Sequence, residues 1–170
     1  MVNQSPLNIT LRPVGPDDHE FLVEVYASTR AEELALTPWT DEQRQAFVRS
    51  QFAAQQAHYA QKYPEARHHI IVSDDRPVGR LYVAMLDHEI RIVDITVLPV
   101  ERNVGIGTYL IKQLVDEANR TGKVTRIYVE EFNPSLRLFQ RLGFSSSEQH
   151  GFHLLMEWPT RDPQSSLDAN

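Results

Sequence analysis

Between Val97 and Gly107 the chain leaves an apolar run, turns at Pro99 and enters a helical pattern through Arg102-Asn103-Val104-Gly105-Ile106-Gly107. A strand that feeds a helix this directly leaves the helix's first amide N–H groups without intrahelical partners. Such a terminus favours an anion. Gly105 and Gly107 remove side chains where a phosphate must approach the backbone, and Arg102 can add a charge-assisted contact. Leu110, Ile111, Leu114, Val115 and Ala118 then recur at helical spacing, which predicts a helix over 105–121 anchored on a sheet.

Two nucleotide-binding readings fail on this segment. A phosphate-binding loop of the Gly-Lys-Ser/Thr kind has its lysine at the helix start, whereas Gly107 is followed by Thr108-Tyr109. A dinucleotide fingerprint lacks its third glycine, because Leu110 stands there, although Glu130 or Glu131 does end the following strand. The motif also begins past the middle of 170 residues, which leaves too little chain for a doubly wound sheet. A purely structural role, two glycines permitting a tight strand-to-helix turn, stays open at this level.

The strand before the loop has its own irregularity. Apolar residues fall on even positions at Ile90 and Ile92, then on odd positions at Val93, Ile95 and Val97. A β-bulge near Val93 and Asp94 would slip the alternation by one residue, while a strand buried on both faces would need no alternation. Elsewhere the pattern predicts a strand over 8–13, a helix from Pro16 ending near Glu33, and a second helix from Asp41 capped by Thr40. Strands follow over 68–73 and 77–86, joined by a turn at Ser73-Asp74-Asp75-Arg76, and later over 124–130. A short helix over 134–142 and two closing strands around Phe144 and over 152–158 complete the reading. The expectation is one domain over 1–159, with 160–170 a mobile tail.

Composition narrows the functional classes. Seventeen Lys and Arg against 23 Asp and Glu give a net charge of −6, with the signs interspersed, which argues against a nucleic-acid surface. A cationic small substrate would suit that balance. The lack of cysteine excludes disulfides, thiolate nucleophiles and Cys-based zinc sites together. The pairs His68-His69 and His150 with His153 do not complete a metal set, since adjacent strand residues point to opposite faces. No apolar run approaches the roughly 18 residues of a membrane span, and no signal-peptide pattern is present, so a cytoplasmic location without membrane contact is expected.

The run Asp94-Ile95-Thr96-Val97-Leu98-Pro99, followed by Arg102 to Gly107 and later by Asn133-Pro134-Ser135 and Arg141-Leu142-Gly143-Phe144, strongly resembles the GNAT superfamily of N-acyltransferases. The likeness spans roughly 77–158 and, more loosely, the N-terminal helices. It implies an α/β (α+β) fold: a mixed, mostly antiparallel, splayed sheet of six to seven strands flanked by about four helices. It further implies acetyl-CoA as cosubstrate, with no metal, and transfer of the acetyl group to a primary amine of a small molecule or a protein. The pantetheine arm would pair with Ile95, Thr96 and Val97. The pyrophosphate would sit on the amides of Asn103, Val104, Gly105, Ile106, Gly107 and Thr108, beside Arg102. Asn133, Arg137 and Phe139 match positions set against the CoA arm, and a homodimer is a possible assembly.

Direct transfer from a thioester needs a neutral amine, a polarised carbonyl and a proton for the departing thiolate. Asp94 is the favoured base because it interrupts an apolar strand at the expected bulge, where a carboxylate is costly unless paired or used. A buried salt bridge would explain it equally. Glu130 and Glu131, at a strand end, are further candidates, and Glu89 reads as a surface charge. Many family members carry a tyrosine acid where this chain has Phe139, and phenylalanine has no proton to give. Tyr82, Tyr109 and Tyr128 are substitutes, or the thiolate leaves unassisted, or the protein is a non-catalytic acyl-CoA-binding or sensor module. By the resemblance, the loop between the first two helices covers the acceptor, which makes Arg30, Glu32, Glu33 and Trp39 candidates for substrate selection.

Overall fold

A computed structural model of the chain describes residues 7–158, so the expected tail over 160–170 lies outside the described residues. Seven strands are seen: β1 (Ile9–Pro13), β2 (Arg67–Ser73), β3 (Arg76–Met85), β4 (Glu89–Val97), β5 (Val124–Glu130), β6 (Ser145–His150) and β7 (His153–Trp158). The helices are α1 (His19–Ala35), α2 (Asp41–Lys62), α3 (Ile106–Thr121) and α4 (Ser135–Arg141). The strands form one mixed, open sheet in the order β1-β2-β3-β4-β5-β7-β6. β4 pairs with β5 in parallel, whereas β1 with β2, and β7 with both β5 and β6, are antiparallel. The expected class, strand number and helix number are those observed.

The described chain divides into two compact units, each discontinuous in sequence. The first comprises residues 7–82 and Ile95–Ile106. Its core joins Leu22, Val23, Tyr26 and Leu34 of α1 to Val48 and Phe52 of α2 and to Ile70 of β2. Burying each such side chain contributes about 1.5–3 kcal/mol. Thr40 caps α2 as expected: its hydroxyl accepts the Gln43 N–H at 3.2 Å while the Gln43 side chain accepts the Thr40 N–H at 2.9 Å. α1 begins later than expected, at His19, after a single 3-10 turn over Pro16–Asp18. The Asp18 carboxylate causes this, because it takes the Gly15 N–H at 2.7 Å and the Arg12 guanidinium at 2.7 and 2.8 Å.

The β2–β3 turn falls where the sequence placed it. Asp74 and Asp75 both hold left-handed angles, φ 47° and 63°, the requirement of a two-residue hairpin turn that matches strand twist. In β3 every residue from Val78 to Ala84 is buried, including Arg80 at 1% exposure. A buried guanidinium is tolerated only with its donors satisfied. Arg80 donates to the side-chain oxygens of Gln55 and Gln56 and lies 5.8 Å from the Phe52 ring.

The second unit comprises Val83–Asp94 and residues 107–158. Phe139 of α4 packs edge-on against Phe144 at 5.3 Å, and Phe144 in turn meets Trp158 at 5.8 Å. Gly143 has φ 93°, and a Cβ there would lie 2.4 Å from the Trp158 ring, so the Leu-Gly-Phe element is a packing device. Glu89, read from sequence as a surface charge, is buried at 8% exposure. Its carboxylate binds Arg91 at 2.8 Å and Arg126 at 2.6 Å, and Arg126 also binds Glu157 at 2.5 Å. The residues in question alternate along adjacent strands, so they share one sheet face.

Candidate functional site

The irregularity read in β4 has a structural counterpart. Leu86 N–H donates to the Glu89 carbonyl, so a regular ladder would set Val78 opposite Val97. Instead the Leu98 N–H donates to the Val78 carbonyl at 2.9 Å. β4 therefore carries one extra residue between Glu89 and Leu98, which accounts for the slipped alternation. Its parallel register with β5 runs from Glu89↔Val124 to Ile92↔Ile127 and stops, although β4 continues to Val97 and β5 to Glu130. Asp94, Ile95, Thr96 and Val97 lie in that continuation and are half-buried. Asp94 has interacting partners, as has Thr96.

The loop after β4 is shaped by backbone angles that few residues adopt. Asn103 has φ 64° and Gly105 has φ 94°, after which α3 begins at Ile106. Asparagine and glycine are the residues that take such angles at low cost. Arg102 to Gly105 are exposed, Ile106 is buried, and Gly107 and Thr108 are half-buried. A Cβ on Gly107 would meet Leu138 of α4 at 3.4 Å. The first-turn amides of α3, having no intrahelical acceptor, form a cradle suited to phosphate oxygens. Arg102 does more than supply charge: its Nε donates to the Val97 carbonyl at 2.8 Å and pins the loop to the end of β4.

The other residues singled out in the sequence fall into separate groups. Tyr82 is 8% exposed, its ring 4.4 Å from His68 and 5.4 Å from Tyr59. Burial raises the Tyr82 phenol above its ordinary value, with Arg80 opposing, which keeps its proton in place. Tyr109 accepts the Gln113 amide at 2.8 Å, and Tyr128 lies 5.0 Å beneath the Arg91 guanidinium. Glu130 is half exposed and stands 3.7 Å from His153. Arg30 and Glu33 pair at 3.2 Å along α1, while Trp39 rests on Phe47 at 5.1 Å. The Asn133 side-chain Oδ1 accepts the Ser135 N–H at 2.9 Å in the turn that leads into α4, and Arg137 is exposed on that helix. Phe139 is 1% exposed, so its ring is occupied in core packing.

Sequence reasoning missed Gly79, whose place inside an apolar strand was the available signal of a close backbone approach. It also missed the Phe132–Phe152 ring pair, 78% and 67% exposed. Among the described residues no three His, Asp or Glu side chains group as metal ligands, and no helix is long and apolar enough to cross a membrane.

Comparison with known proteins converges on one family. No curated protein matches significantly in sequence. The structure is similar to the PaiA N-acetyltransferase of Thermoplasma acidophilum in complex with coenzyme A, with TM-score 0.67 and 17% identity over 89% of this chain and 98% of that one. It is similar to YncA of Salmonella typhimurium, solved with its cofactor acetyl-CoA, at TM-score 0.55 and 22% identity over 91% and 95% of the two chains. The ribosomal-protein-S18-alanine N-acetyltransferase of Escherichia coli aligns with TM-score 0.59 and 16% identity over 92% and 97%. The sequence model of the acetyltransferase (GNAT) family matches residues 28–144, well over half of the chain, and the protein belongs to that family.

Proposed function

We propose that the protein is an N-acetyltransferase that moves an acetyl group from acetyl-CoA directly to a primary amine. The observation that carries this reading is the turn from β4 into α3, where Asn103 and Gly105 take left-handed angles at an exposed helix N-terminus. In this reading the amides of Asn103 to Thr108 take the pyrophosphate, with the remaining Arg102 N–H groups beside them. The backbone of Ile95, Thr96 and Val97 pairs with the pantetheine arm, and Asn133 and Arg137 are the positions at which the family resemblance implies further contacts to CoA. Arg30, Glu33 and Trp39 select the acceptor.

Asp94 or Glu130 takes the ammonium proton, directly or through a water molecule. The freed amine nitrogen attacks the thioester carbon, backbone N–H groups hold the developing oxyanion, the nitrogen releases its second proton to solvent, and the C–S bond breaks with its electron pair on sulfur as the amide forms. Tyr82, whose proton burial retains, is the candidate donor to the thiolate. The test is acetyl-CoA consumption against a panel of amines. Asp94→Asn is expected to leave CoA affinity unchanged and to lower kcat by about 10²-fold or more. Unchanged turnover removes Asp94 from the mechanism.

A second reading, a non-catalytic acyl-CoA-binding module, is favoured by Phe139, which has no proton to donate and is buried against Phe144. Tight CoA binding in a calorimetric titration with no transfer to any acceptor would decide for it.

A further inference from the structure

The segment that leads into β1 passes beside the glycine loop. A Cβ built on Gly105 would lie 3.6 Å from a terminal methyl of Leu7, so the leucine side chain stands next to the bare backbone of that loop. Its place is fixed by pairings on either side. Ile9 stands opposite Ser73 in the β1–β2 ladder, and the Asp74 N–H donates to the Asn8 carbonyl at 3.3 Å. Beyond the β2–β3 turn, Arg76 meets Glu101 at 3.2 Å, in the 3-10 turn over Pro99–Glu101. Residues 7 and 8, the hairpin turn and the loop are thus tied together within the first compact unit.

Core packing does not account for Leu7. It is 40% exposed, and Val104, the residue before the exposed Gly105, is 56% exposed. Aliphatic side chains left in water around a phosphate cradle gain nothing until an apolar group covers them. The cosubstrate carries such a group. CoA continues past its pyrophosphate into adenosine, whose base has two apolar faces. Cofactor sites combine a few polar groups that fix orientation with apolar surface that supplies contact area. Here the loop amides are the polar part. The pantetheine arm is assigned to Ile95, Thr96 and Val97, on the strand side of the loop, so the adenosine leaves the pyrophosphate on the other side, where Leu7 and Val104 are exposed.

We propose that Leu7 is a CoA-binding residue, and that its side chain, with that of Val104, takes one face of the adenine ring. The contact comes from outside residues 28–144, the part of the chain that matches the family model. The inference rests on the assignment of the loop to acetyl-CoA and extends the donor site to the nucleoside.

CoA and phosphopantetheine, which keeps the arm and one phosphate but lacks adenosine, are titrated calorimetrically into wild type, Leu7→Ala and Leu7→Met, with thermal melts confirming that the variants fold. Leu7→Ala is expected to raise the Kd for CoA about five-fold, the loss of part of one aliphatic contact. Its affinity for phosphopantetheine should stay at the wild-type value, and Leu7→Met should restore CoA binding. In the CoA-saturated protein, nuclear Overhauser contacts are expected between the Leu7 methyl groups and the adenine protons. Normal CoA affinity in Leu7→Ala, equal losses for the two ligands, or no such contacts would overturn this inference and leave the acetyltransferase reading in place. A wild-type protein that bound neither ligand would bring down that reading and this inference with it.

Discussion

A Cβ placed on Gly79 would lie 2.2 Å from the carbonyl oxygen of Thr96 and 3.0 Å from the Val97 Cα, so β3 and β4 meet here at a separation that glycine alone permits. The atoms in the way are backbone and cannot swing aside. Gly79→Ala is therefore expected to cost about 2–3 kcal/mol, lowering Tm by roughly 5–10 °C. Since Thr96 and Val97 belong to the strip assigned to the pantetheine arm, CoA affinity should fall with stability. Thermal melts and a calorimetric CoA titration of the variant check both.

At Gly107 a different outcome is expected. The added Cβ would meet Leu138 at 3.4 Å, a contact that a flexible side chain can absorb, and the residue sits in helical conformation. Gly107→Ala should keep or slightly raise Tm, since alanine is the better helix former by up to about 1 kcal/mol. Gly107→Trp should fold and lose CoA affinity by about ten-fold or more, because bulk now fills the anion cradle. A tryptophan variant that binds CoA normally would remove this loop from the donor site.

The Glu89 carboxylate neutralises two guanidinium groups, Arg91 and Arg126, and its side chain is 10% exposed. Glu89→Gln leaves both cations under-compensated in a largely dry environment and should cost about 3 kcal/mol. Glu157→Gln, in contrast, touches an ion pair with a third of its arginine exposed, and should cost about 1 kcal/mol or less. Chemical denaturation of the two variants side by side tests the ranking. A larger loss from Glu157→Gln would contradict it.

Asp18 gives a pH signature. Hydrogen bonds from Arg12, then from the Gly15 N–H, push its carboxyl down to about 2, against an ordinary value of 3.8. A depressed carboxylate stabilises the fold above its unfolded pKa, and that stabilisation is lost as pH falls from about 4 towards 2. Each unit is worth about 1.4 kcal/mol, but Arg12 is half exposed and solvent screening reduces the contribution to about 1 kcal/mol. Asp18→Asn should thus be less stable than wild type at pH 7, and the two should converge near pH 2. Denaturant midpoints across that range provide the comparison.

What could be read from the chain without coordinates was mostly local. The bounds of β5, the Thr40 cap of α2 and the left-handed Asp74-Asp75 turn each follow from chemistry within a few residues. The extra residue of β4 left a trace in the order of its apolar side chains. Pairings between distant segments left none. β7 lies between β5 and β6, an order that no local pattern records, and the strand expected around Phe144 runs over Ser145–His150 with all six residues exposed. Glu89 looked like a surface charge because its two arginines come from Arg91 and from Arg126, 37 residues away. In the candidate site the glycine loop was legible for the same local reason, whereas the buried place of Phe139 and the meeting of Phe132 with Phe152 depend on tertiary packing.

Among the described residues β6 forms one border of the sheet, and its pairing with β7 is irregular between Ser146 and Glu148. A straight, unpaired border would offer a row of amide and carbonyl groups on which further chains could stack. The offset breaks that row, and Glu148 and His150 add charge and bulk beside it. The same strand that contributes nothing to the buried core thus presents an interrupted, charged edge, and straightening it would lengthen the row of groups open to edge-to-edge pairing.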